Sequence, residues 1–513
     1  MEAMIGLDVG TGGSKAVLLD GEGRVLASSI EAHRSIAPRD GWIEQEPSEW
    51  LRSATACLRA ISEACPDVTV VAIGLSGQMN GPVLLDASGN VLGNCPIWAD
   101  LRAVEEAREV SDRVGHQRLV ALAGKPAVPA YTAPKLLWLR KHEPELFRGA
   151  AKVLLPKDYV RWHLAGHLAT DPTDASNTLL FDIREQAWSQ EIVSALELRL
   201  SVLPDVVPTV SQAGGLAKDA ARATGLPAGT PVVTGAGDSI TAAVAHGVGS
   251  DDAVLCVLGS AGNVSAAFDA PVIDPDARVH TGCYATEDSW IATGVQQAAG
   301  LALQWLRDCL RATGRPDLGY DELVEHAEAV PAGASGLIFL PHMAGERNPR
   351  YNPETRGVFF GLSLQHTVGH LVRAVMEGVA FAQRQSIDAF VELGIPISRL
   401  ICAGGGAQSD LWRRIEASVN RLPVGHVTLG DQPVDSSAAG AAVIAGVQAG
   451  AFPSLEHGAG LIARADQSVL PDDADAVVYE KAFGVYLELS RSLSTPFRAL
   501  AEFKRNAELA PGP

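Results

Sequence analysis

The sequence predicts an α/β protein whose two halves share a similar plan. Two glycine-rich turns, at residues 8–15 and 259–262, each lie between apolar runs that are typical of β-strands. Strand-like and helix-like segments then alternate along the chain, which is the pattern of an α/β domain. With 513 residues the chain is long enough for two or three domains that each bury a full core.

The first half is predicted from its apolar runs and its turn residues. Strands are expected at residues 4–7, 16–20, 25–30, 70–75, 83–85 and 231–234. The first three are expected to be antiparallel, with a turn at residues 20–23 between the second and the third. A helix is expected over residues 48–64, because Pro47 lies near its start and apolar residues recur at helical spacing.

The second half repeats this plan. A comparable hairpin is expected after Asp252, and the strand at residues 400–403 is expected to lead through a glycine loop into a helix at 409–420. The sequence Ala-His-Gly-Val-Gly at residues 245–249 marks the boundary. We therefore expect domains at residues 1–245 and 246–513.

Composition narrows the possible functions. The formal net charge of −19, without a block of Lys and Arg, argues against a nucleic-acid surface and favours a small-molecule substrate. Seven scattered cysteines without a Cys-x-x-Cys pair are typical of a reducing compartment. We find no signal peptide and no apolar run long enough to span a bilayer. A cytoplasmic protein that does not associate with membranes is therefore expected.

Both glycine-rich turns are suited to phosphate binding. Glycines are expected to allow positive φ and to expose N–H donors, while Thr11, Ser14 and Ser260 add hydroxyl donors. Two such loops suggest two lobes that grip a triphosphate, with Asp8 close enough to require a metal ion. Either loop taken alone favours an ordinary hairpin turn, and it is the pair of loops that favours phosphate binding.

Several motifs in the same order resemble one known family. They lie at residues 8–11, 132–139, 340–342, 345–349, 356–357 and 361–380. By these motifs the chain resembles the FGGY carbohydrate kinases over nearly its whole length, and within that family the xylulokinases. The resemblance implies the fold of hexokinase, actin and the heat-shock chaperone ATPases: two actin-like (ribonuclease H-like) domains with a catalytic cleft between them. It also implies ATP and Mg²⁺ as cofactors and is compatible with a homodimer.

The resemblance assigns the central chemical roles to two carboxylates. Phosphoryl transfer requires alignment, charge neutralisation and a group that receives the hydroxyl proton. Asp238 matches the catalytic aspartate of the family's Gly-Asp motif and lies between a strand and a helix. Alternatively, Asp238 only caps the N-terminus of that helix. Asp8 matches the residue near magnesium, and its alternative is an Asp that bonds its own turn.

The phosphates of the nucleotide are expected to contact both phosphate loops, and the resemblance implies that the adenosine contacts the later glycine loop. Lys15 closes the first loop and is either a phosphate ligand or a solvated surface lysine. The residues expected to bind ATP are Thr11, Gly12, Ser14, Lys15, Gly259, Ser260, Gly405, Gly406, Ser409 and Asn420. The glycine loop at residues 404–406 is alternatively a helix entry that needs positive φ.

Polar residues after two predicted strands are candidates for the sugar site. These are Gln78, Met79, Asn80, Trp98, Asp100, Arg102 and Ser239. Each could instead pack a loop, and Trp98 could be a core residue. Xylulokinases typically have His in place of Asn80, Asn in place of Ser239, and the motif Trp-Asn-Asp-Gly-Arg where Ala99 and Leu101 differ here.

The expected reaction is phosphorylation of a primary hydroxyl of a small ketose, with D-xylulose as the first candidate. Because the departures fall on residues that read the substrate, ribulose, ribitol, erythritol and glycerol stay open. A nucleotide-driven conformational protein, like actin or a heat-shock chaperone, is the alternative from another class. A Rossmann dehydrogenase is disfavoured, since the first loop leads into a strand rather than a helix.

Overall fold

The structure, a computed structural model, describes residues 1–249, 252–430, 434–465 and 468–508. It divides into two compact units. Unit 1 comprises Met1–Ser250, Ala267–Ile291 and Thr428–Arg464, and unit 2 comprises Asp251–Ala266, Ala292–Val427 and Ala465–Pro513. This division differs from a single cut near residue 245, because a helix from residues 436–448 packs on the sheet formed by the first 80 residues.

The strands and helices of the described residues are numbered along the chain. The strands are β1 Glu2–Val9, β2 Gly13–Asp20, β3 Val25–Ala32, β4 Glu44–Gln45, β5 Thr69–Gly77, β6 Val83–Leu85, β7 Cys95–Pro96, β8 Lys152–Leu154, β9 Ala169–Thr170, β10 Phe181–Asp182, β11 Ala187–Trp188, β12 Asp205–Val206, β13 Gln212–Gly215, β14 Pro231–Val233, β15 Ala236–Gly237, β16 Ala253–Leu258, β17 Gly262–Phe268, β18 His280–Cys283, β19 Trp290–Gln296, β20 Ile338–Leu340, β21 Val358–Phe360, β22 Arg399–Ala403, β23 Val424–Leu429 and β24 Ala463–Ala465. The α-helices are α1 Pro47–Ala64, α2 Val104–Val114, α3 His116–Ala123, α4 Thr132–His142, α5 Pro144–Gly149, α6 Pro156–Ala165, α7 Pro172–Ala175, α8 Gln190–Ala195, α9 Lys218–Thr224, α10 Asp238–Ala245, α11 Gly300–Ala312, α12 Tyr320–Glu328, α13 Val368–Glu392, α14 Asp410–Asn420, α15 Ser436–Gln448, α16 Leu455–Ile462, α17 Asp473–Ser492 and α18 Ser494–Glu508. The predicted strands and the helix after Pro47 are confirmed to within one to three residues at each end.

Unit 1 is built on a mixed sheet with the order β13-β14-β5-β1-β2-β3, and β15 pairs with the end of β5. The predicted antiparallel arrangement of β1, β2 and β3 is confirmed, while β5 runs parallel to β1. Side chains alternate along β1 because successive residues of a strand point to opposite faces. Ile5 and Leu7 belong to the core that also contains Trp50 of α1, whereas Gly6 faces α15.

Three glycines allow α15 to approach this sheet and α10 closely. A Cβ atom on Gly6 would lie 1.8 Å from the carbonyl oxygen of Ala438, and one on Gly74 would lie 1.9 Å from that of Ala441. A Cβ on Gly440 of α15 would lie 1.8 Å from the carbonyl oxygen of Thr241 in α10. Since real Cβ atoms do not approach backbone so closely, these contacts need glycine and set the position of α15.

Unit 2 has β17, β16, β22 and β23 as neighbouring strands. The hairpin of β16 and β17 is antiparallel, and β22 runs parallel to both β16 and β23. The carboxyl ends of β16 and β22 lead into two glycine loops, at residues 259–261 and 404–406. The predicted hairpin after Asp252 and the strand-loop-helix at residues 399–420 are thus confirmed.

The cysteines and the helices add two observations about the described residues. All seven cysteines are free, and five of them are buried. No helix among the residues that the structure describes combines the length and the apolar character that a membrane span needs.

A buried carboxyl in unit 2 makes stability depend on pH. Glu416 of α14 is fully buried and accepts a hydrogen bond from the Asn420 side chain at 3.1 Å. Burial raises the pKa of Glu416 to about 8, above its ordinary value. The folded chain therefore holds this proton more tightly than the unfolded chain, so the free energy of unfolding falls as pH rises from about 5 to about 8.

We expect Glu416→Gln to reduce this loss of stability, because the amide stays neutral over the whole range. Denaturant midpoints at pH 5 and pH 8 measure the effect. Glu480→Gln is the control, since Glu480 is an exposed carboxylate paired with Arg384. Equal pH slopes for wild type and Glu416→Gln would contradict the assignment.

Candidate functional site

A row of polar side chains crosses three neighbouring strands of unit 1. Asp8 of β1 is the register partner of Lys15 on β2 and of Ser76 on β5. Directly paired residues lie on the same face of a sheet. Asp8 accepts a hydrogen bond from Ser76 Oγ at 2.8 Å. The strand alternation thus places Asp8, Lys15 and Ser76 on the face that carries Gly6 and α15.

Asp238 is the first residue of α10 and is connected to this row. Thr241 Oγ1 lies 2.8 Å from Ser76 Oγ and donates to the carbonyl oxygen of Asp238 at 3.0 Å. Ser437 of α15 donates to the same carbonyl oxygen at 3.0 Å. The N-cap alternative for Asp238 is wrong, because Gly237 occupies the N-cap position. The half-buried Asp238 carboxylate accepts only a short hydrogen bond from the Ser239 N–H at 2.7 Å among the bonds found in the described residues.

A third carboxylate, Asp435, joins this group and was not predicted. It caps α15 by accepting from the Ala438 N–H at 3.0 Å, and it pairs with Lys15 Nζ at 2.5 Å. Lys15 is therefore not a solvated surface lysine. The Asp-Ser-Ser-Ala sequence is a helix N-terminus signal that locates the cap, but the signal does not indicate Lys15 as the partner.

The electrostatics of the group show an excess of negative charge. Burial, followed by the charges of Asp435 and Asp238, raises the pKa of Asp8 to about 8. Burial also raises the pKa of Asp238 to about 6, and Asp435 adds to the shift. Three carboxylates face one ammonium group, so the fully ionised group carries a formal charge of about −2. Oxygen donors with this charge fit a hard divalent cation such as Mg²⁺.

The first glycine loop is a tight turn, but not for the reason the sequence suggested. Gly10, Gly12 and Gly13 all have ordinary negative or extended backbone, so the expected positive φ is wrong here. Space is the requirement instead, since a Cβ on Gly13 would lie 2.6 Å from the carbonyl oxygen of Glu31. The Gly10 N–H donates to the Gly13 carbonyl at 3.1 Å. Gly12 is exposed with open space around it, which suits a ligand.

The hydroxyls of this loop face different directions. Thr11 Oγ1 accepts from Trp98 Nε1 at 2.8 Å and donates to Gln78 Oε1 at 3.4 Å, so it lies beside two predicted sugar residues. The structure corrects the prediction that Ser14 binds ATP. It is fully buried, and its hydroxyl lies 2.7 Å from Ser53 Oγ of α1. Successive residues of a strand point to opposite faces, so the Ser14 side chain lies on the face of β2 opposite to that of Lys15.

Three of the predicted sugar residues, Met79, Ser239 and Trp98, lie at the start of α10 or contact the first loop, and Asn80 follows Met79 in the chain. Met79 Sδ accepts from the exposed Ser239 hydroxyl at 3.5 Å, and Met79 packs against Gly237. Asn80 has a positive φ of 73° and is 8% exposed, and its side-chain oxygen has no hydrogen-bond donor among the described residues. Trp98 is 42% exposed, so the core alternative for it is wrong.

Gln78, Asp100 and Arg102 are engaged by other protein groups. Gln78 is fully buried and donates to Gln45 Oε1 at 2.7 Å. Arg102 pairs with Asp100 and with Glu44 at 2.7 Å each, and Asp100 also accepts from the Ile43 N–H. We therefore correct Asp100 and Arg102 from substrate ligands to a buried ion network. Such a network satisfies its charges internally and positions the loop that carries Trp98.

A second buried network supports the backbone before Asp238. Lys157 Nζ lies 2.7 Å, 3.0 Å and 3.4 Å from carboxylate oxygens of Asp158, Asp171 and Asp174. These three carboxylates are grouped closely enough to suggest a metal site, but Lys157 lies among them and Arg161 lies 3.1 Å from Asp158, so two cationic side chains already occupy the cluster. Thr173 of the same segment accepts from the Gly237 N–H at 3.0 Å. No sequence motif indicated this network, although Asp171 before Pro172 is a recognisable helix start.

Unit 2 contains a cavity of about 830 Å³ at the two glycine loops. Gly404 has a φ of 88°, which confirms a helix entry that needs positive φ. Cβ atoms on Gly404 and Gly406 would lie 3.0 Å and 2.9 Å from atoms of Leu258, so the loops are in close contact. The lining includes the predicted nucleotide residues Gly259, Ser260, Gly405, Gly406 and Ser409.

The structure corrects the prediction that Asn420 binds ATP. It is the last residue of α14, whereas Ser409 caps the start of that helix by accepting from the Trp412 N–H at 3.3 Å. Eleven helical residues separate the two ends by roughly 15 Å. Asn420 instead donates to the carbonyl oxygen of Glu416 at 2.9 Å and does not line the cavity.

Comparisons with known proteins agree over nearly the whole chain. Residues 3–245 match the N-terminal domain, and residues 254–449 the C-terminal domain, of the FGGY family of carbohydrate kinases. A xylulose kinase of Escherichia coli (strain K12) is 34% identical over 491 residues, which cover 95% of this chain and 99% of the relative. A gluconokinase of Bacillus licheniformis is 28% identical over 98% of each chain. The crystal structure of xylulose kinase from Rhodospirillum rubrum has a TM-score of 0.91 and 30% identity, and it covers 97% of this chain and 100% of that one.

Proposed function

Because this chain belongs to the FGGY family of carbohydrate kinases, which transfer a phosphoryl group to an alcohol, we propose that its acceptor is a primary hydroxyl of a small neutral ketose. D-xylulose, giving D-xylulose 5-phosphate, is the first candidate. ATP is the donor that the family uses. The observation that carries the proposal is the position of Asp238 at the start of α10, where Thr241 donates to the Asp238 carbonyl oxygen and contacts Ser76 of the row that contains Asp8 and Lys15.

We assign Asp238 the role of general base. Its carboxylate takes the proton of the sugar hydroxyl, that oxygen bonds to the γ-phosphorus, and the bond from this phosphorus to the β,γ-bridging oxygen breaks to release ADP. The N–H groups of the glycine hairpin at residues 8–15 and the Lys15 ammonium neutralise phosphate oxygens. Asp8 and Asp435 would hold Mg²⁺ through water. When bound, Mg²⁺ neutralises charge on the phosphate oxygens.

The charges of the site favour a neutral sugar over a sugar acid. Lys15 pairs with Asp435, and Arg102 pairs with Asp100 and Glu44. Lys15 is assigned to the phosphates, so a carboxylate such as gluconate would have to break the pairs of Arg102, which is costly because Arg102 and Asp100 are buried. A hydroxyl needs only an uncharged partner, and the buried side-chain oxygen of Asn80 is an acceptor of that kind.

Two of the predicted sugar residues, Asn80 and Ser239, favour a second candidate among the neutral substrates. Asn80 and Ser239 have shorter side chains and different donor patterns from the His and Asn that xylulokinases typically carry. A site that satisfies its polar groups with one set of hydroxyls rejects another set strongly. Ribulose or a polyol such as ribitol or erythritol is therefore the alternative substrate.

A substrate panel tests the proposal. The chain is assayed with ATP and Mg²⁺ for ADP release on D-xylulose, D- and L-ribulose, ribitol, erythritol, glycerol and gluconate. We expect the highest kcat/KM with a neutral ketose. A preference for gluconate would overturn the neutral assignment. Stimulation by none of these compounds would favour a nucleotide-driven conformational protein instead.

The pKa of Asp238 predicts the pH dependence of the reaction. A general base must be ionised, and the pKa of this carboxyl is raised to about 6. We therefore expect kcat/KM to be level above about pH 7 and to fall by about tenfold per pH unit below pH 6. Steady-state kinetics between pH 5 and pH 8.5 check this. A profile that stays flat down to pH 5 would exclude Asp238 as the titrating base.

A further inference from the structure

We propose that Asp321 and Glu325 of α12 determine which nucleotide unit 2 accepts, by receiving hydrogen bonds from donor groups of the nucleoside. The donors are the ribose hydroxyls or the exocyclic amino group of adenine. This inference rests on the proposed nucleotide role of the cavity at the two glycine loops. It adds residues that no sequence motif indicated.

One face of α12 forms a wall of this cavity. Tyr320, Asp321, Val324, Glu325 and Glu328 all line it, and their spacing of one, three, one and three residues places them on a single helix face. The glycine loops at residues 259–260 and 405–406 line the same cavity. A volume of about 830 Å³ lies within the range of small-molecule sites.

The charges of the residues that line the cavity determine the orientation of a bound nucleotide. Among the described residues that line the cavity, none is Lys, Arg or His. The carboxylates of α12 would repel a triphosphate, whereas the glycine hairpin that starts at Leu258 offers backbone N–H groups. The phosphates therefore belong at the glycine hairpin that starts at Leu258, and the nucleoside belongs at α12 and the loop at residues 404–406.

Asp321 and Glu325 are the carboxylates of this wall that are available to a ligand. Glu328 pairs with Arg414 at 2.8 Å. Asp410 on the α14 side pairs with Arg413. In the part of the chain that the structure describes, the side chains of Asp321 and Glu325 make neither an ion pair nor a hydrogen bond.

Trp412 supplies a second, independent observation. It lines the cavity and is 2% exposed, yet its indole N–H has no acceptor within the described residues. A buried donor without a partner is costly and points to a missing acceptor. Adenine offers ring nitrogens as acceptors and an amino group as donor, so one base satisfies groups of both kinds.

Hydrogen bonds to ionised groups are among the stronger ones, so each carboxylate that reads a nucleoside donor is expected to contribute about 10- to 100-fold to kcat/KM. A carboxylate accepts but cannot donate. Wild type should therefore discriminate against a nucleotide that lacks the donor or replaces it with an acceptor. 2′-Deoxy-ATP lacks a ribose hydroxyl, and ITP carries an oxo group where ATP has its amino group.

The experiment compares ATP, 2′-deoxy-ATP and ITP with wild type, Asp321→Ala and Glu325→Ala. We expect wild type to prefer ATP over at least one analogue by more than tenfold. In the variant that has lost the matching carboxylate, kcat/KM with ATP should fall to the level of that analogue. Glu322→Ala is the control, because Glu322 neighbours Asp321, pairs with Arg315 and does not line the cavity.

Equal use of all three nucleotides by wild type, or unchanged ratios in both variants, would overturn the inference. Calorimetric binding of the same three nucleotides provides a readout that does not depend on the sugar. If the nucleotides bind with the expected discrimination but no sugar is phosphorylated, the inference stands and the proposed sugar kinase function fails. Loss of discrimination in Glu322→Ala as well would show a general effect of helix α12 and would also overturn it.

Discussion

Asp238→Asn is expected to lower kcat by about 10² to 10⁴, the usual contribution of a general base. The amide keeps the size and backbone contacts of the side chain but cannot take the proton of the sugar hydroxyl. The hydrogen bonds from Thr241 and Ser437 reach the Asp238 carbonyl oxygen, so they do not depend on the side chain. Steady-state kinetics measure the loss, and calorimetry measures ATP binding, which we expect to persist.

Asp219→Asn is the matched control for this variant. Asp219 lies exposed in the first turn of α9 and pairs with Arg222. An exposed pair of this kind contributes little to stability, so the control should retain wild-type turnover. Near-normal turnover in Asp238→Asn would show that another group accepts the proton.

Gly440→Ala is expected to destabilise the protein by about 1–3 kcal/mol, the usual cost of overpacking. The new Cβ would lie 1.8 Å from the carbonyl oxygen of Thr241, so α15 or α10 must move. Thr241 also contacts Ser76 and the Asp238 carbonyl oxygen, so turnover should fall as well. Denaturant unfolding measures the change in stability, and the kinetic assay measures turnover.

Gly484→Ala offers the same substitution in another helix interior. Gly484 lies within α17, and a Cβ atom added there would meet no neighbouring group of the described residues within 4 Å. Alanine is favoured over glycine inside a helix by about 1 kcal/mol, so this variant should be as stable as wild type or more so. If both variants changed stability in the same direction, close approach would not be the reason for glycine at 440.

Local sequence signals predicted the elements that carry the site. Apolar runs marked β1 and β5, and Pro47 marked the start of α1. The family motifs, in their order along the chain, predicted two actin-like domains, and the matches to both FGGY domains confirm that fold. Such signals work because hydrophobic periodicity and turn chemistry act over a few residues.

The predictions that the structure corrected concern side chains whose partners a local motif does not reveal. Asp100 and Arg102 follow a strand, which is a usual position for binding residues. Arg102 instead pairs with Asp100 and with Glu44, which lies 58 residues away in the chain. Asn420 belongs to the predicted helix but lies at its far end. Whether a polar side chain faces a ligand or another protein group depends on packing that a short segment does not encode.

By itself the sequence determined the α/β class, the two glycine hairpins, and the candidacy of Asp8 and Asp238. Only the tertiary structure decided that Asp435, 420 residues after Lys15, joins them. The physical reason is that α15 approaches β1 at Gly6 and α10 at Gly440 through backbone contacts, and such contacts between distant segments leave no periodic signal in either one.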